Sequence, residues 1–222
     1  MTITIAFDVY GTLIDPHGVT AALAPLVGKD NSLLFSHTWR SKQLEYSFRR
    51  GLMKQYQAFT VCTRQALDYA CATHGHDLSN DARKALMAKY LSLPAFDDVK
   101  PGLLNLRKLD VKLYAFSNGV KNDVHDLLES AGLIEFFDGI VSVDEVKSFK
   151  PDPEVYLHFL RKTDTRPSDT WLVSSNSFDI LGAEAVGWHT AWVRRATDSV
   201  FDPWEIEPSI VIDNLSALSA AL

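Results

Sequence analysis

The chain has 222 residues, of which 46% are hydrophobic and 23% charged, and its formal net charge is −6. This composition is typical of a globular protein with a substantial core. Acidic and basic residues are mixed along the chain, so no basic stripe is present to bind phosphates and a nucleic acid is not an expected partner. No apolar run reaches about 18 residues, and the apolar N-terminus lacks a basic flank, so we expect no membrane segment and a cytoplasmic protein.

A buried strand is predicted at the start of the chain. Ile3, Ile5 and Phe7 form a short apolar run rich in β-branched residues. The run ends at Asp8, and Gly11 then supplies a turn. A carboxylate at the end of a strand lies where parallel α/β sheets bind their ligands, although a cap for a following helix also fits this pattern.

Helical periodicity alone follows this strand. The predicted helices lie near residues 18–28, 31–50, 53–75 and 79–92. We interpret this block as a helical bundle inserted after the first strand, and we expect Pro94 and the pair Pro101-Gly102 to bracket its exit. The predicted division is a core of residues 1–15 and 95–222, with residues 16–94 as a helical cap.

Strands and helices alternate in the remainder of the chain. Further strands are predicted near residues 112–116, 140–143, 171–173, 190–193 and 210–212. Helices are predicted over about 121–131, from about 154, and over about 179–186. This alternation indicates the α/β class, with a doubly wound, Rossmann-like parallel sheet.

Polar residues occur at the ends of four predicted strands or in the loops that follow them. They are Asp8–Thr12, Ser117-Asn118, Lys150 and Ser174–Asp179. The C-terminal ends of parallel strands share one edge of a sheet, so these clusters are expected to meet. Each cluster alone could be a helix cap or a turn, and Lys150 alone could be a surface lysine. Together they predict a nucleophilic carboxylate held by a lysine, beside hydroxyl and amide groups that bind an anion.

The same segments resemble a known family. FDVYGTL at 7–13, TWRSKQLEYSF at 38–48, SNG at 117–119, KPDPEVY at 150–156 and SSNSFD at 174–179 are similar to the haloacid dehalogenase superfamily, and more narrowly to its L-2-haloacid dehalogenases. Tyr10 stands where the superfamily's phosphatases have the acid that protonates an alkoxide, which a departing halide does not need. Ser175 stands where they have an acidic Mg²⁺ ligand, so the resemblance implies no metal and no cofactor.

The resemblance implies a covalent mechanism on a small 2-haloalkanoate. Asp8 attacks C2 of the (S)-2-haloalkanoic acid, displaces halide with inversion and forms an ester, which water opens to an (R)-2-hydroxyalkanoic acid. The implied catalytic residues are Asp8, Thr12, Arg40, Ser117, Lys150, Tyr156, Ser174, Asn176 and Asp179. The implied substrate-binding residues are Val9, Tyr10, Arg40, Leu44, Phe59, Ser117, Asn118 and Phe178.

Roles within the core come from the same resemblance. Lys150, aided by Tyr156, is expected to hold Asp8, and Asp179 is expected to polarise the hydrolytic water. Ser117 and the backbone amides after Asp8 are expected to bind the substrate carboxylate. Asp179, at the end of its strand, could instead be a favourable charge at a helix N-terminus.

Arg40 and Asn118 are expected to receive the halide. Arg40 shares a helical row with Leu44 and Phe48, a pattern that by itself equally suits a surface arginine lying along an apolar stripe. A guanidinium is always charged and can stabilise the negative charge that develops on the halogen. Relatives are commonly dimers, so the resemblance also implies a homodimer.

One position departs from the family pattern. The family usually has Trp where this chain has Phe178, and Phe lacks the indole N–H and leaves a larger pocket. A shifted halogen or chain-length preference is therefore expected. Two other functions stay open from the sequence, a phosphatase-type hydrolase and a catalytically idle binding relative. The intact Asp8, Lys150 and Asp179 disfavour the binding relative.

Overall fold

The computed structural model describes residues 2–222, so Met1, the first residue of the predicted core, lies outside it. One sheet of six parallel strands forms its centre: β1 Ile3–Phe7, β2 Val111–Ser117, β3 Gly139–Ser142, β4 Thr170–Ser174, β5 His189–Val193 and β6 Ile210–Ile212. The strand order is β3-β2-β1-β4-β5-β6. The chain thus winds outward from β1 in both directions, which confirms the predicted doubly wound α/β class.

Nine α-helices accompany the sheet within the described residues. They are α1 Thr20–Val27, α2 Lys29–Leu52, α3 Phe59–His74, α4 Asn80–Lys89, α5 Val99–Leu106, α6 Lys121–Ser130, α7 Pro153–Thr163, α8 Ser177–Glu184 and α9 Leu218–Ala221. The first four lie between β1 and α5, and we call residues 16–94 the helical insert. Over residues 2–222, no helix combines the length and the apolar character needed to cross a membrane.

The central strand is apolar because both of its faces are covered. Ile5, Ala6 and Phe7 are fully buried in β1, as expected for a strand between two layers of helices. Phe7 pairs with Ala115 on β2 and with Val173 on β4. The three strands therefore end within two residues of one another, and the residues that follow them meet at one edge of the sheet.

Two expectations about the helical insert are wrong. Residues 53–58 do not begin the third helix, which starts at Phe59. Instead Tyr56 reaches the core, where its hydroxyl donates to Asp144 at 2.7 Å and its ring stacks on Phe149 at 4.9 Å. These contacts compensate for the helical hydrogen bonds that the segment does not form.

Pro101 and Gly102 do not bracket the exit from the insert, because they lie inside α5. Pro101 occupies the third position of that helix. A backbone N–H at this position has no intrahelical acceptor, so the N–H that proline lacks is not missed. Gly102 allows α5 to approach the chain near Leu215, since a Cβ there would lie 2.8 Å from the Leu215 backbone. The pair thus belongs to the packing of the core.

Candidate active site

Asp8 lies directly after the central strand and is only 7% exposed. Its Oδ1 accepts a hydrogen bond from Lys150 Nζ at 3.2 Å. Its Oδ2 accepts two, from the Thr12 hydroxyl at 2.7 Å and from the Asn176 amide at 2.8 Å. These donors hold the carboxylate in one orientation, and the Oδ1 atom retains the freer lone pair.

Lys150 is the charged centre of the site. Its side chain is 1% exposed and its ammonium donates to Asp8, to Asp179 Oδ2 at 2.8 Å and to the Phe116 carbonyl at 2.9 Å. All three protons of the ammonium are thereby used. The backbone N–H of Lys150 donates to Asn118 Oδ1 at 3.0 Å, so the loop after β3 is fastened to the end of β2.

Asp179 and Tyr156 lie behind Lys150, away from solvent. The Tyr156 hydroxyl donates to Asp179 Oδ1 at 2.8 Å, and both side chains are fully buried. Burial raises the pKa of Asp179 to about 6, with Asp8 adding to the rise and Lys150 opposing it. Burial, followed by the charge of Asp179, raises the pKa of Tyr156, which therefore stays protonated and donates. Tyr156 thus contacts Asp179, which in turn accepts from Lys150.

The fourth polar cluster contributes both backbone and side-chain groups to the site. The Ser175 N–H donates to the Thr12 hydroxyl at 2.9 Å, and the Asn176 N–H donates to the Ser174 hydroxyl at 3.1 Å. Ser174 is fully buried and supports Asn176, whereas Thr12 and Asn176 touch Asp8 themselves. The end of β4 thus fixes two of the donors to the carboxylate.

Donors without an acceptor occur at the ends of the neighbouring strands β1 and β2. Within residues 2–222 the backbone N–H groups of Val9 and Tyr10 make no hydrogen bond. The Ser117 hydroxyl accepts from the Gly119 N–H at 3.0 Å, and its own hydrogen has no acceptor among the described residues. These groups suit a bound carboxylate, and the Nδ2 of Asn118, expected to receive the halide, also has no partner in the described chain.

Arg40 reaches the site from α2. Its Nη2 donates to the Tyr10 carbonyl at 3.0 Å, and its Nη1 donates to Gln43 Oε1 at 2.7 Å. Burial lowers the pKa of Arg40, with Tyr90 and Asp8 opposing the shift, and a guanidinium remains charged in proteins. The insert therefore brings one cation to the nucleophile loop.

Apolar side chains close the site on its other side. The ring of Tyr10 lies 5.9 Å from that of Phe59, and the ring of Phe178 meets Phe48 edge-on at 5.0 Å. Tyr10 and Phe59 line a cavity of about 190 Å³ with Tyr90 and Gly119. Leu44 is half-buried one helical turn beyond Arg40.

Comparisons with known proteins agree with this geometry. The family model described as haloacid dehalogenase-like hydrolase matches residues 4–187. The chain belongs to this family. Within it, the chain is 37% identical over 217 residues to an (S)-2-haloacid dehalogenase of Pseudomonas sp. strain YL, covering 96% of this chain and 91% of the relative. It is also 37% identical over 194 residues to haloacetate dehalogenase H-2 of Moraxella sp. strain B, covering 86% and 85% of the two chains.

A solved structure shares the fold over almost the whole length. It is the L-2-haloacid dehalogenase of Xanthobacter autotrophicus with chloropropionic acid covalently bound. The TM-score is 0.90 at 29% identity, with 99% of this chain and 98% of that chain covered. These comparisons confirm the resemblance to L-2-haloacid dehalogenases that was inferred from the sequence motifs.

Two residues that position the predicted site residues of this family member were not predicted from the sequence. Gln43 is fully buried, accepts from Arg40 and donates to the Thr63 hydroxyl at 2.6 Å, so it fixes the guanidinium between α2 and α3. Gly182 lies against Tyr156, where a Cβ would meet the phenol oxygen at 2.4 Å. Gln43 was recognisable only as a polar residue near Arg40 on a helix, and Gly182 gave no signal.

Gly182→Ala is predicted to displace Tyr156 and so to loosen Asp179 and Lys150. We expect a loss of stability of about 1–3 kcal/mol, the usual cost of overpacking a core, and a lower turnover number. Gly51→Ala is the matched control, because a Cβ in that helix would meet Phe149 no closer than 3.9 Å. Thermal unfolding and turnover of both variants test this; a Gly182→Ala variant as stable and active as the control would contradict it.

Activity is predicted to fall as the pH drops below about 6, because protonated Asp179 no longer attracts Lys150. Because its pKa is raised from the ordinary value of 3.8 to about 6, Asp179 binds a proton more tightly in the folded protein than in the unfolded chain. The group therefore adds stability as the pH falls, and the activity loss is not due to unfolding at Asp179. The pH profile of kcat/KM, with the exposed Asp126→Asn variant as control, tests this; a flat profile down to pH about 4.5 would contradict it.

Proposed function

We propose that the chain is a hydrolytic dehalogenase that converts (S)-2-haloalkanoic acids to (R)-2-hydroxyalkanoic acids through an ester on Asp8. The observation that carries the proposal is the setting of Asp8, a nearly buried carboxylate held on both oxygens by Lys150, Thr12 and Asn176. Such a carboxylate is oriented for attack while one lone pair stays available. The names of the relatives and the covalent chloropropionate complex of the Xanthobacter autotrophicus enzyme support it.

In the first step Asp8 Oδ1 attacks C2 of the substrate from the side opposite the halogen. The new O–C2 bond forms as the C–X bond breaks, the electron pair leaves with the halide, and the configuration at C2 inverts. Ser117 and the amides of Val9 and Tyr10 hold the substrate carboxylate, as their free donors suggest. Arg40 stabilises the charge that grows on the halogen.

In the second step water attacks the carbonyl carbon of the Asp8 ester. The oxygen of water stays on Asp8 and the acyl–oxygen bond breaks. One proton from water ends on the product hydroxyl, and the other is released to solvent as the Asp8 carboxylate forms again. Thr12 and Asn176 keep the carbonyl in place. We assign Asp179 to holding Lys150 rather than to activating this water, because both of its oxygens are engaged and its side chain is fully buried.

The helical insert acts as a cap over this reaction in the proposed mechanism. Its contacts with the core include Arg40 with Tyr10, Tyr56 with Asp144, and the Thr60 hydroxyl donating to Asp123 at 2.7 Å. A covered site excludes water while the halide is displaced. The homodimer and the cytoplasmic location expected from the sequence stay predictions, as does the altered halogen preference at Phe178.

Phosphatase chemistry is the second candidate, and the groups around Asp8 do not fit the Mg²⁺ it would require. Mg²⁺ needs several oxygen ligands in octahedral geometry. Here the Asp8 oxygens face an ammonium, an amide N–H and a hydroxyl, and the Ser175 hydroxyl donates to the Gly11 carbonyl at 2.6 Å. The donor set suits a carboxylate held by hydrogen bonds, and no step of the mechanism uses a metal.

Halide release from (S)-2-chloropropanoate with EDTA present tests the proposal. We expect release from the (S) enantiomer alone, and its loss in Asp8→Asn, since a carboxamide is a poor nucleophile. The matched control, Asp198→Asn at an exposed position, should retain wild-type activity. Phosphate release from p-nitrophenyl phosphate with Mg²⁺ would favour the phosphatase. The absence of both activities would indicate a catalytically idle binding relative.

A further inference from the structure

Tyr90 has a buried hydroxyl with no hydrogen-bond partner. It lies in a short 3₁₀ turn, Tyr90–Ser92, directly after α4, and is 4% exposed. Two other buried side-chain atoms in residues 2–222 share this property, Trp188 Nε1 and Arg195 Nε. Trp188 lies among core aromatic rings, and the rest of the Arg195 guanidinium is paired with Asp98. An unsatisfied buried hydroxyl destabilises a fold, so one that is present calls for an explanation.

Tyr90 packs against residues of the proposed site. Its ring packs on Trp39 at 4.7 Å and lies 6.4 Å from the ring of Tyr10. Tyr90 lines the 190 Å³ cavity together with Tyr10 and Phe59, and Arg40 donates to the carbonyl of the same Tyr10. Burial raises the pKa of Tyr90 to about 12, so the group is a proton-bearing donor.

We propose that Tyr90 is a substrate-binding residue whose hydroxyl donates a hydrogen bond to the halogen as it departs beside Arg40. This rests on the proposed function. The C–X electron pair leaves with the halide, and Tyr90 keeps its proton and only shares it with the anion. The pairing gives the hydroxyl the acceptor it lacks in the free protein.

The halogen is favoured over the substrate carboxylate as the acceptor. The free donors that suit the carboxylate, Ser117 and the amides of Val9 and Tyr10, all belong to the core edge of the site. Arg40 and Tyr90 both come from the helical insert. Tyr90 also supplies an O–H donor in a chain where Phe178 has no N–H to offer.

Tyr90→Phe removes the hydroxyl and little else, and tests the proposal by leaving-group dependence. We expect kcat/KM for (S)-2-chloropropanoate to fall roughly tenfold, the size of one hydrogen bond to a charge-bearing atom. The fall should be smaller for the 2-bromo substrate, because bromide is a weaker acceptor and a better leaving group. The variant should unfold at the same temperature as the wild type or higher, since it loses an unsatisfied group.

The control is Tyr114→Phe, a half-buried tyrosine of β2 that packs on Phe159 and should leave kinetics unchanged. An equal loss for both halogens, no loss, or a loss with a matching drop in unfolding temperature would each overturn the proposal. Bromide titration of the intrinsic fluorescence, to which the adjacent Trp39 contributes, needs no turnover. Weaker bromide binding in Tyr90→Phe supports the proposal, and unchanged binding overturns it. A wild-type protein that binds bromide but releases no halide from the substrate contradicts only the proposed function.

Discussion

The ion pair between Lys150 and Asp8 is the interaction on which the rest of the site depends. An ammonium that is 1% exposed is stable only if its charge and its three protons are all matched. Asp8, Asp179 and the Phe116 carbonyl provide that match. Removing one partner of such a pair leaves a buried charge uncompensated, which typically costs about 3–5 kcal/mol. The same cation therefore orients the nucleophile and commits the surrounding loops to one arrangement.

The topology of the sheet makes this pairing possible. With β1 in the centre, the ends of β2 and β4 flank Asp8 on both sides, and the loop after β3 delivers Lys150. The helical insert then leaves the core just beyond the nucleophile and returns before α5. A strand end surrounded by loops is rigid at its base and open above, so one face of Asp8 is fixed while the other can meet a substrate.

The core of this arrangement was predictable from the sequence because its signals are local. Apolar runs that end in Asp8, Ser117 and Ser174 mark strand ends, and parallel strands share an edge. The segment at 53–58 was not predictable, because Tyr56 leaves a helical pattern for contacts with residues nearly 90 positions away in the chain. Gln43, Gly182 and Tyr90 depend on partners brought close by the tertiary fold. The contact between Tyr156 and Asp179 has the same cause.

A single turnover in H₂¹⁸O, with enzyme in excess over (S)-2-chloropropanoate, tests the covalent role of Asp8 most directly. The account predicts that the hydroxyl oxygen of the first product comes unlabelled from Asp8, and that ¹⁸O appears in the Asp8 carboxylate on mass analysis of the peptide containing it. Labelled oxygen in the first product, with none in Asp8, would show direct attack of water on C2 and would contradict the account.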